Sequence, residues 1–254
     1  MAIASVCHWK NLTRRDILKI YLSKVVIVLR KKPLLWANIV LLAGAMACLV
    51  YYDIVGGLWL KGVTSSWFVV LGAFNLLCVR KERQKFPLLM VLGLFCGMCA
   101  DVLLGVAFYL GVVVFALGHI LYLAAFYSLE GFHIRDLRFM IPLAAVSIFM
   151  VVGTPWIRVE DPTMKILLLA YALIISAMLG KALSNVRCRP SVFRWLLAVG
   201  SVLFWFSDLM LAIDLFGQPS RLVWILCSYS YWPAQNLLAH ALYHTKKTTK
   251  AEAL

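Results

Sequence analysis

FPLLMVLGLFCGMCADVLLG, residues 86–105, and VFRWLLAVGSVLFWFSDLMLAIDLF, residues 192–216, decide the fold of this chain. Each is about as long as a helix must be to cross a bilayer, roughly 20 residues at 1.5 Å each over a hydrocarbon core of about 30 Å. Each also carries an aspartate deep in its apolar run, Asp101 in the first and Asp208 in the second. An aspartate at a helix centre costs roughly 2.5 to 3.5 kcal/mol to insert, so a chain that keeps two has a use for them, either as working groups or as hydrogen-bond anchors between helices.

Six further stretches resemble these two. The sequence predicts eight spans, near 34–55, 63–79, 86–105, 107–129, 139–156, 163–183, 192–216 and 222–243. They are rich in Leu, Ala, Gly and Phe and lack the strict alternation of a barrel strand, so they read as helices. With 63% hydrophobic and 14% charged residues and a mean hydropathy of +0.90, the 254-residue chain has more apolar surface than a soluble domain of that size can hide. The expected fold is an all-α integral membrane protein, one bundle of eight transmembrane helices with short loops. Residues 1–33 form a basic juxtamembrane arm, 34–243 the bundle, and 244–254 a basic tail.

The net charge of +14 follows the segments and is no nucleic-acid signature. Of the Lys and Arg residues, 21 fall at one set of ends (the N-terminal arm, the loops at 80–85, 130–138 and 181–194, and the tail). The other set holds 4: Lys61, Arg158, Lys165 and Arg221. By the positive-inside rule both termini are cytoplasmic, as an even number of spans requires. The arm TRRDILKIYLSKVVIVLRKKP interleaves basic and apolar residues and is expected on the anionic cytoplasmic leaflet. It lacks the pattern of a cleavable signal peptide, since its apolar run is short and ends in Arg30, Lys31 and Lys32. The seven cysteines are scattered and mostly intramembrane. Cys96 and Cys99 have CxxC spacing, but no second pair completes a zinc set, so no metal is expected.

ADVLLGVAF from Ala100 resembles SDLMLAIDLF from Ser207, in the third and seventh spans. An offset of four helices preserves direction, so a parallel 4+4 internal repeat would bring Asp101 and Asp208 to similar depth, facing each other in the outer half. Chance similarity of two short apolar strings is the alternative. In the fourth span Phe115, His119, Tyr122 and Phe126 share one face, and in the eighth Ser228, Tyr231 and Gln235 share another with Asn236 beside it. Ser201 and Asp208 share a face of the seventh. Interhelical hydrogen bonding accounts for the serines and the asparagine, and GxxxG at Gly93 and Gly97 indicates close helix packing. Two acids and a histidine ask for more. His240 reads as an interfacial residue.

The ordered set CADVLLG, FALGHILYLAAF, FWFSDLMLA and YSYWPAQNLL resembles the YhhN/TMEM86 family of membrane lysoplasmalogenases. The likeness runs through spans three, four, seven and eight in order. Family members read Gly-Asp where this chain has Ala100 and Asp101, and Lys-Pro-Leu where its nearest match is Lys61, Gly62 and Val63. The resemblance implies hydrolysis of the vinyl ether bond of lysoplasmalogens, yielding a fatty aldehyde and glycerophosphoethanolamine or glycerophosphocholine. Asp101, His119, Asp208 and Gln235 match the family's polar positions.

Residue chemistry suits that reaction. A vinyl ether is cleaved by protonation of its alkene carbon, and water captures the resulting oxocarbenium ion. Two carboxyls sharing a site cannot both ionise easily, so one can serve as acid and the other as base. Which aspartate is which stays open. Asp101, Asp208 and His119 are therefore the candidate catalytic residues. Lys61 would hold the lipid phosphate, and Tyr122, Tyr231, Gln235 and Asn236 would line the substrate pocket. No cofactor is required. The partners are a lysophospholipid substrate and the bilayer, with no nucleic acid. The membrane would be the inner membrane in a bacterium and the endoplasmic reticulum in a eukaryote. A proton- or cation-coupled transporter is the rival, because paired intramembrane acids also describe an ion path. An aspartyl protease would want Gly-x-Gly-Asp, and a zinc hydrolase more histidines than His119 and His240.

Overall fold

The computed structural model describes residues 33–79 and 84–251, with side chains as far as Thr245. The basic arm, up to residue 32, lies outside the described residues, as do the side chains of nearly all the tail. Among the described residues every long element is a helix: α1 Pro33–Val55, α2 Leu58–Leu77, α3 Lys85–Leu103, α4 Phe108–Leu129, α5 Leu137–Val152, α6 Pro162–Cys188, α7 Val192–Phe216 and α8 Arg221–Ala251, with a 3-10 turn at Ile134–Asp136 before α5. By their contacts the described residues divide into two units, the first ending at Val40 and the second beginning at Leu41. The described part of the first is the opening of α1, where the amide of Asn38 donates to the Leu34 carbonyl at 2.9 Å.

Local signals set the ends. Between α1 and α2 the chain turns at Gly56 and Gly57, whose φ angles of 71° and 95° suit a residue without a Cβ. The carboxylate of Asp161 caps α6 by accepting from the Thr163 amide at 2.9 Å, with Pro162 in the first turn. The hydroxyl of Ser191 caps α7, accepting from the Arg194 amide at 3.3 Å.

Six helices, α1, α2, α3, α4, α6 and α7, are long and apolar enough to cross a membrane. The chain is a multi-pass membrane protein, and exposed Leu, Val, Ile, Phe and Trp side chains stud these helices where lipid would meet them. Two predicted spans differ. α5 stops at Val152, and 16 residues reach only about 24 Å. In α8, Ser228, Ser230, Gln235, Asn236 and His240 break the apolar run, yet no residue from Ser230 to Tyr243 is exposed. Its polar groups face protein, where hydropathy does not register them.

Within the second unit α2, α3, α4, α6, α7 and α8 pack in sequence as a closed ring, α8 returning to α2, with α5 laid on α6. Close approach depends on missing side chains. A Cβ at Gly93 would sit 2.5 Å from the Tyr122 ring, and one at Gly97 would sit 2.5 Å from Gln235 Nε2. The GxxxG face of α3 thus receives polar side chains from α4 and α8.

At the end of the bundle beside α5, Lys181 and Asp136 form a fully buried ion pair at 2.9 Å. Lys181 Nζ also donates to the Gly131 carbonyl at 2.7 Å and lies 4.7 Å from the centre of the Tyr127 ring. The hydroxyl of Ser184 and the backbone N–H of His133 complete the donors to Asp136. Burial works to raise the Asp136 pKa, but Lys181, Ser184 and His133 together outweigh it and hold the carboxyl below its ordinary value. Lys181 was counted by sequence as a loop residue, whereas α6 continues to Cys188 and carries it inside. Nearby, Arg194 donates to Glu130 at 2.7 Å and to the Asn185 carbonyl at 3.0 Å, and the bond from Arg194 keeps the Glu130 carboxyl below its usual range.

Removing one partner of such a pair strands the other. Lys181→Met is expected to destabilise the protein by about 3–5 kcal/mol, read as a lowered melting midpoint in detergent, and Lys181→Met with Asp136→Leu to recover most of the loss. Because the folded Asp136 pKa lies below its unfolded value of about 3.9, its stabilisation is present above that pH and is lost as pH falls through the folded value.

Candidate active site

Asp101 lies two residues before the end of α3 and is 3% exposed. Its Oδ2 accepts from Ser65 Oγ of α2 at 2.5 Å and from the Tyr231 hydroxyl of α8 at 2.8 Å. Its Oδ1 faces Lys61 Nζ, in the first turn of α2, at 3.7 Å. The indole N–H of Trp232 donates to Ser65 at 3.3 Å. On the other side Gln235 Nε2 donates to the Tyr231 oxygen at 3.3 Å, and the Tyr122 hydroxyl donates to Gln235 Oε1 at 2.7 Å. One buried network therefore runs from α4 through α8 to the Asp101 carboxyl.

Asp208, on α7, has its own partners. Its Oδ2 accepts from the Tyr171 hydroxyl of α6 and lies 3.1 Å from His119 Nε2 of α4. His119 Nε2 is also 2.6 Å from the Tyr171 oxygen, while its Nδ1 is buried with no hydrogen-bond partner. A proton on Nδ1 would be a stranded donor, so the neutral ring carries its proton on Nε2. Asp208 Oδ1 has only a 3.4 Å contact from Ser207 Oγ, whose shorter bond, 2.6 Å, goes to the Phe204 carbonyl. Phe204 packs between the networks, its ring centre 4.5 Å from that of His119 and 5.3 Å from that of Tyr231.

Both carboxyls line one polar cavity of about 70 Å³, with Lys61, Tyr231, Ser228, Asp214, Tyr52 and Trp224 among its walls. That is room for several waters at roughly 10–15 Å³ each. A second cavity, about 80 Å³ and almost wholly apolar, runs between α4, α5, α6 and α7 past Phe108, Val112, Val151, Leu168, Ala212 and Phe216. Leu104, Phe115, Leu211 and Asp208 line both. Asp208 is the one polar residue at that junction.

Of the residues singled out by sequence, Asp101, Asp208, Lys61 and Tyr231 line the polar cavity. His119, Tyr122 and Gln235 stand behind them, joined by hydrogen bonds. Asn236 is not brought to either cavity: its Nδ2 donates to the Trp232 carbonyl at 2.8 Å and its Oδ1 is buried without a partner. His240 stacks on Tyr243 away from both, ring centres 5.7 Å apart. Sequence reading passed over Ser65, Trp232 and Tyr171. Tyr171 carried a signal, as a lone phenol in the apolar run KILLLAYALII. Among the described residues no group of three or more His, Cys, Asp or Glu side chains could hold a metal ion.

The YhhN family matches residues 58–242, which takes in every residue of both networks. Human lysoplasmalogenase TMEM86B is 28% identical over 208 residues, covering 76% of this chain and 81% of that protein. No solved structure matches. Tyr122→Phe removes the donor to a buried amide oxygen and is expected to cost about 1–3 kcal/mol of stability, measured by thermal melting in detergent.

Proposed function

The chain belongs to the YhhN family, and from that premise we propose that it is a lysoplasmalogenase, hydrolysing the vinyl ether of an alkenyl-glycerophospho-base to a fatty aldehyde and glycerophosphoethanolamine or glycerophosphocholine. The observation that carries the reading is the meeting of an apolar and a polar cavity at Asp208. A lysoplasmalogen has the same division: a hydrocarbon chain, then the vinyl ether, then a charged head group. The name of the human relative supports the reaction.

With the chain in the apolar cavity, the carbon to be protonated is the one on the chain side of the double bond, next to Asp208. Tyr171 and His119 both engage Oδ2, which leaves Oδ1 as the oxygen from which a proton is passed to that carbon. Proton transfer to that carbon leaves the positive charge shared between the ether oxygen and its adjoining carbon. That carbon lies on the head-group side, toward Asp101. Asp101, set among Lys61, Ser65 and Tyr231, is placed to stabilise the cation and to take a proton from the attacking water. The hemiacetal then breaks its bond to the glycerol oxygen, which leaves as the hydroxyl with the proton Asp101 took from water, while the hemiacetal hydroxyl returns its proton to Asp208 as the aldehyde forms. One water is consumed and no cofactor enters. Lys61 also offers the lipid phosphate a cation.

In the same reading all eight helices cross the bilayer with both termini cytoplasmic, in a bacterial inner membrane or a eukaryotic endoplasmic reticulum. The distribution of 21 basic residues against 4 supports it. Detergent-purified protein is expected to release aldehyde from a lysoplasmalogen, and Asp101→Asn and Asp208→Asn each to lose about 10²-fold or more while melting like wild type. A well-folded wild type that releases none, across pH and with either head group, overturns the hydrolase and favours a transporter.

A further inference from the structure

The mechanism uses two of the three carboxylates in the polar cavity. The third is Asp214, six residues beyond Asp208 on α7 and half-buried in the cavity wall. Among the described residues no hydrogen bond or ion pair engages it. The same cavity is lined by Tyr52, Trp224 and Trp232, with the Tyr52 ring centre 6.2 Å from that of Trp224 and 5.3 Å from that of Trp232. The Trp224 indole is held from behind. Arg221 stacks on it at 4.6 Å and is itself paired with Asp53, which also accepts from the Tyr229 hydroxyl at 3.1 Å.

Charge decides what such a wall can take. Among the described residues lining the cavity, Lys61 is the one cation and it already faces Asp101, while Asp214 adds an acid beyond the two the mechanism uses. A purely anionic ligand would meet net repulsion. A zwitterion places its phosphate on Lys61 and its nitrogen on the remaining acid. Aromatic faces beside a free carboxylate are the surroundings that attract an ammonium group, through the ring quadrupoles and the carboxylate charge together. We infer that Asp214, Tyr52 and Trp224 form the subsite for the cationic nitrogen of the lipid head group, an ammonium held at the opposite end of the substrate from the alkenyl chain. The inference rests on the lysoplasmalogenase reading and gives Asp214 a selective role distinct from the chemistry at Asp101 and Asp208.

Three vinyl ether substrates separate the possibilities: alkenyl-glycerophosphoethanolamine, alkenyl-glycerophosphocholine and alkenyl-glycerophosphate, which lacks the nitrogen. Wild type is expected to favour the first two by about tenfold or more in kcat/KM. Asp214→Asn, a near-isosteric change at a side chain with no bond to lose, is expected to raise KM for those two about tenfold with kcat held, and to lower KM for alkenyl-glycerophosphate, from which one repelling charge has gone. Equal use of all three by wild type, or an equal loss on all three in the variant, overturns the subsite. Saturated alkyl-glycerophosphoethanolamine, which cannot react, supplies the independent measure: it should raise the melting midpoint of wild type and not of Asp214→Asn. Head-group-dependent stabilisation without aldehyde release would overturn the hydrolase and leave the subsite standing. Stabilisation that is the same in wild type and Asp214→Asn would overturn the subsite alone.

Discussion

A carboxyl group near the end of an apolar helix must be answered by donors, and the donors to Asp101 come from two other helices. Ser65 and Lys61 reach it from α2, and Tyr231 from α8. The tyrosine is shared onward with Gln235 and, through it, with Tyr122 of α4. One acid thus fixes the rotation of four helices about their axes, since a turn of any would strand a buried polar group at a cost of a few kcal/mol. The glycines agree with it. Gly93 and Gly97 leave room on α3 where Tyr122 and Gln235 must pass.

The helices were legible because the rule behind them is local. An apolar run of sufficient length, closed by Gly-Gly at 56–57 or opened by a cap such as Asp161 or Ser191, is a helix whatever surrounds it. Where the reading went astray, tertiary partners decided. α6 was expected to end near 183, because Lys181, Ser184 and Asn185 look like the start of a loop. They stay helical because Asp136, the Gly131 carbonyl and the Phe126 carbonyl meet them. In α8 the polar stripe of Ser228, Tyr231 and Gln235 read from the sequence is buried, alongside apolar neighbours such as Ala234 and Leu238.

The site divides in the same way. Asp101, Asp208 and His119 were visible because a titratable group in an apolar run is costly wherever it points. Ser65 and Trp232 were not, since neither is costly in such a helix and only the fold brings them to Asp101. Asn236 shows the converse: by sequence it stands beside the polar face that holds Gln235, but the step of about 100° between adjacent helical residues sends it to its own backbone. Helical periodicity assigns a face and leaves the partner unassigned.

The two acids share a cavity but have separate retinues. Asp101 is served by hydroxyls and an ammonium, and Asp208 by a phenol and an imidazole on a single oxygen. Among the described residues no hydrogen bond joins the two networks, and the Phe204 ring stands between His119 and Tyr231. Two carboxyls bridged by one proton would titrate as a pair. Kept apart by an aromatic ring and given different neighbours, these two are not bridged by any hydrogen bond among the described residues. The proposed reaction, which gives a proton to one carbon and draws one from water at the next, would use the different surroundings that α2 and α8 give one acid and α4 and α6 the other.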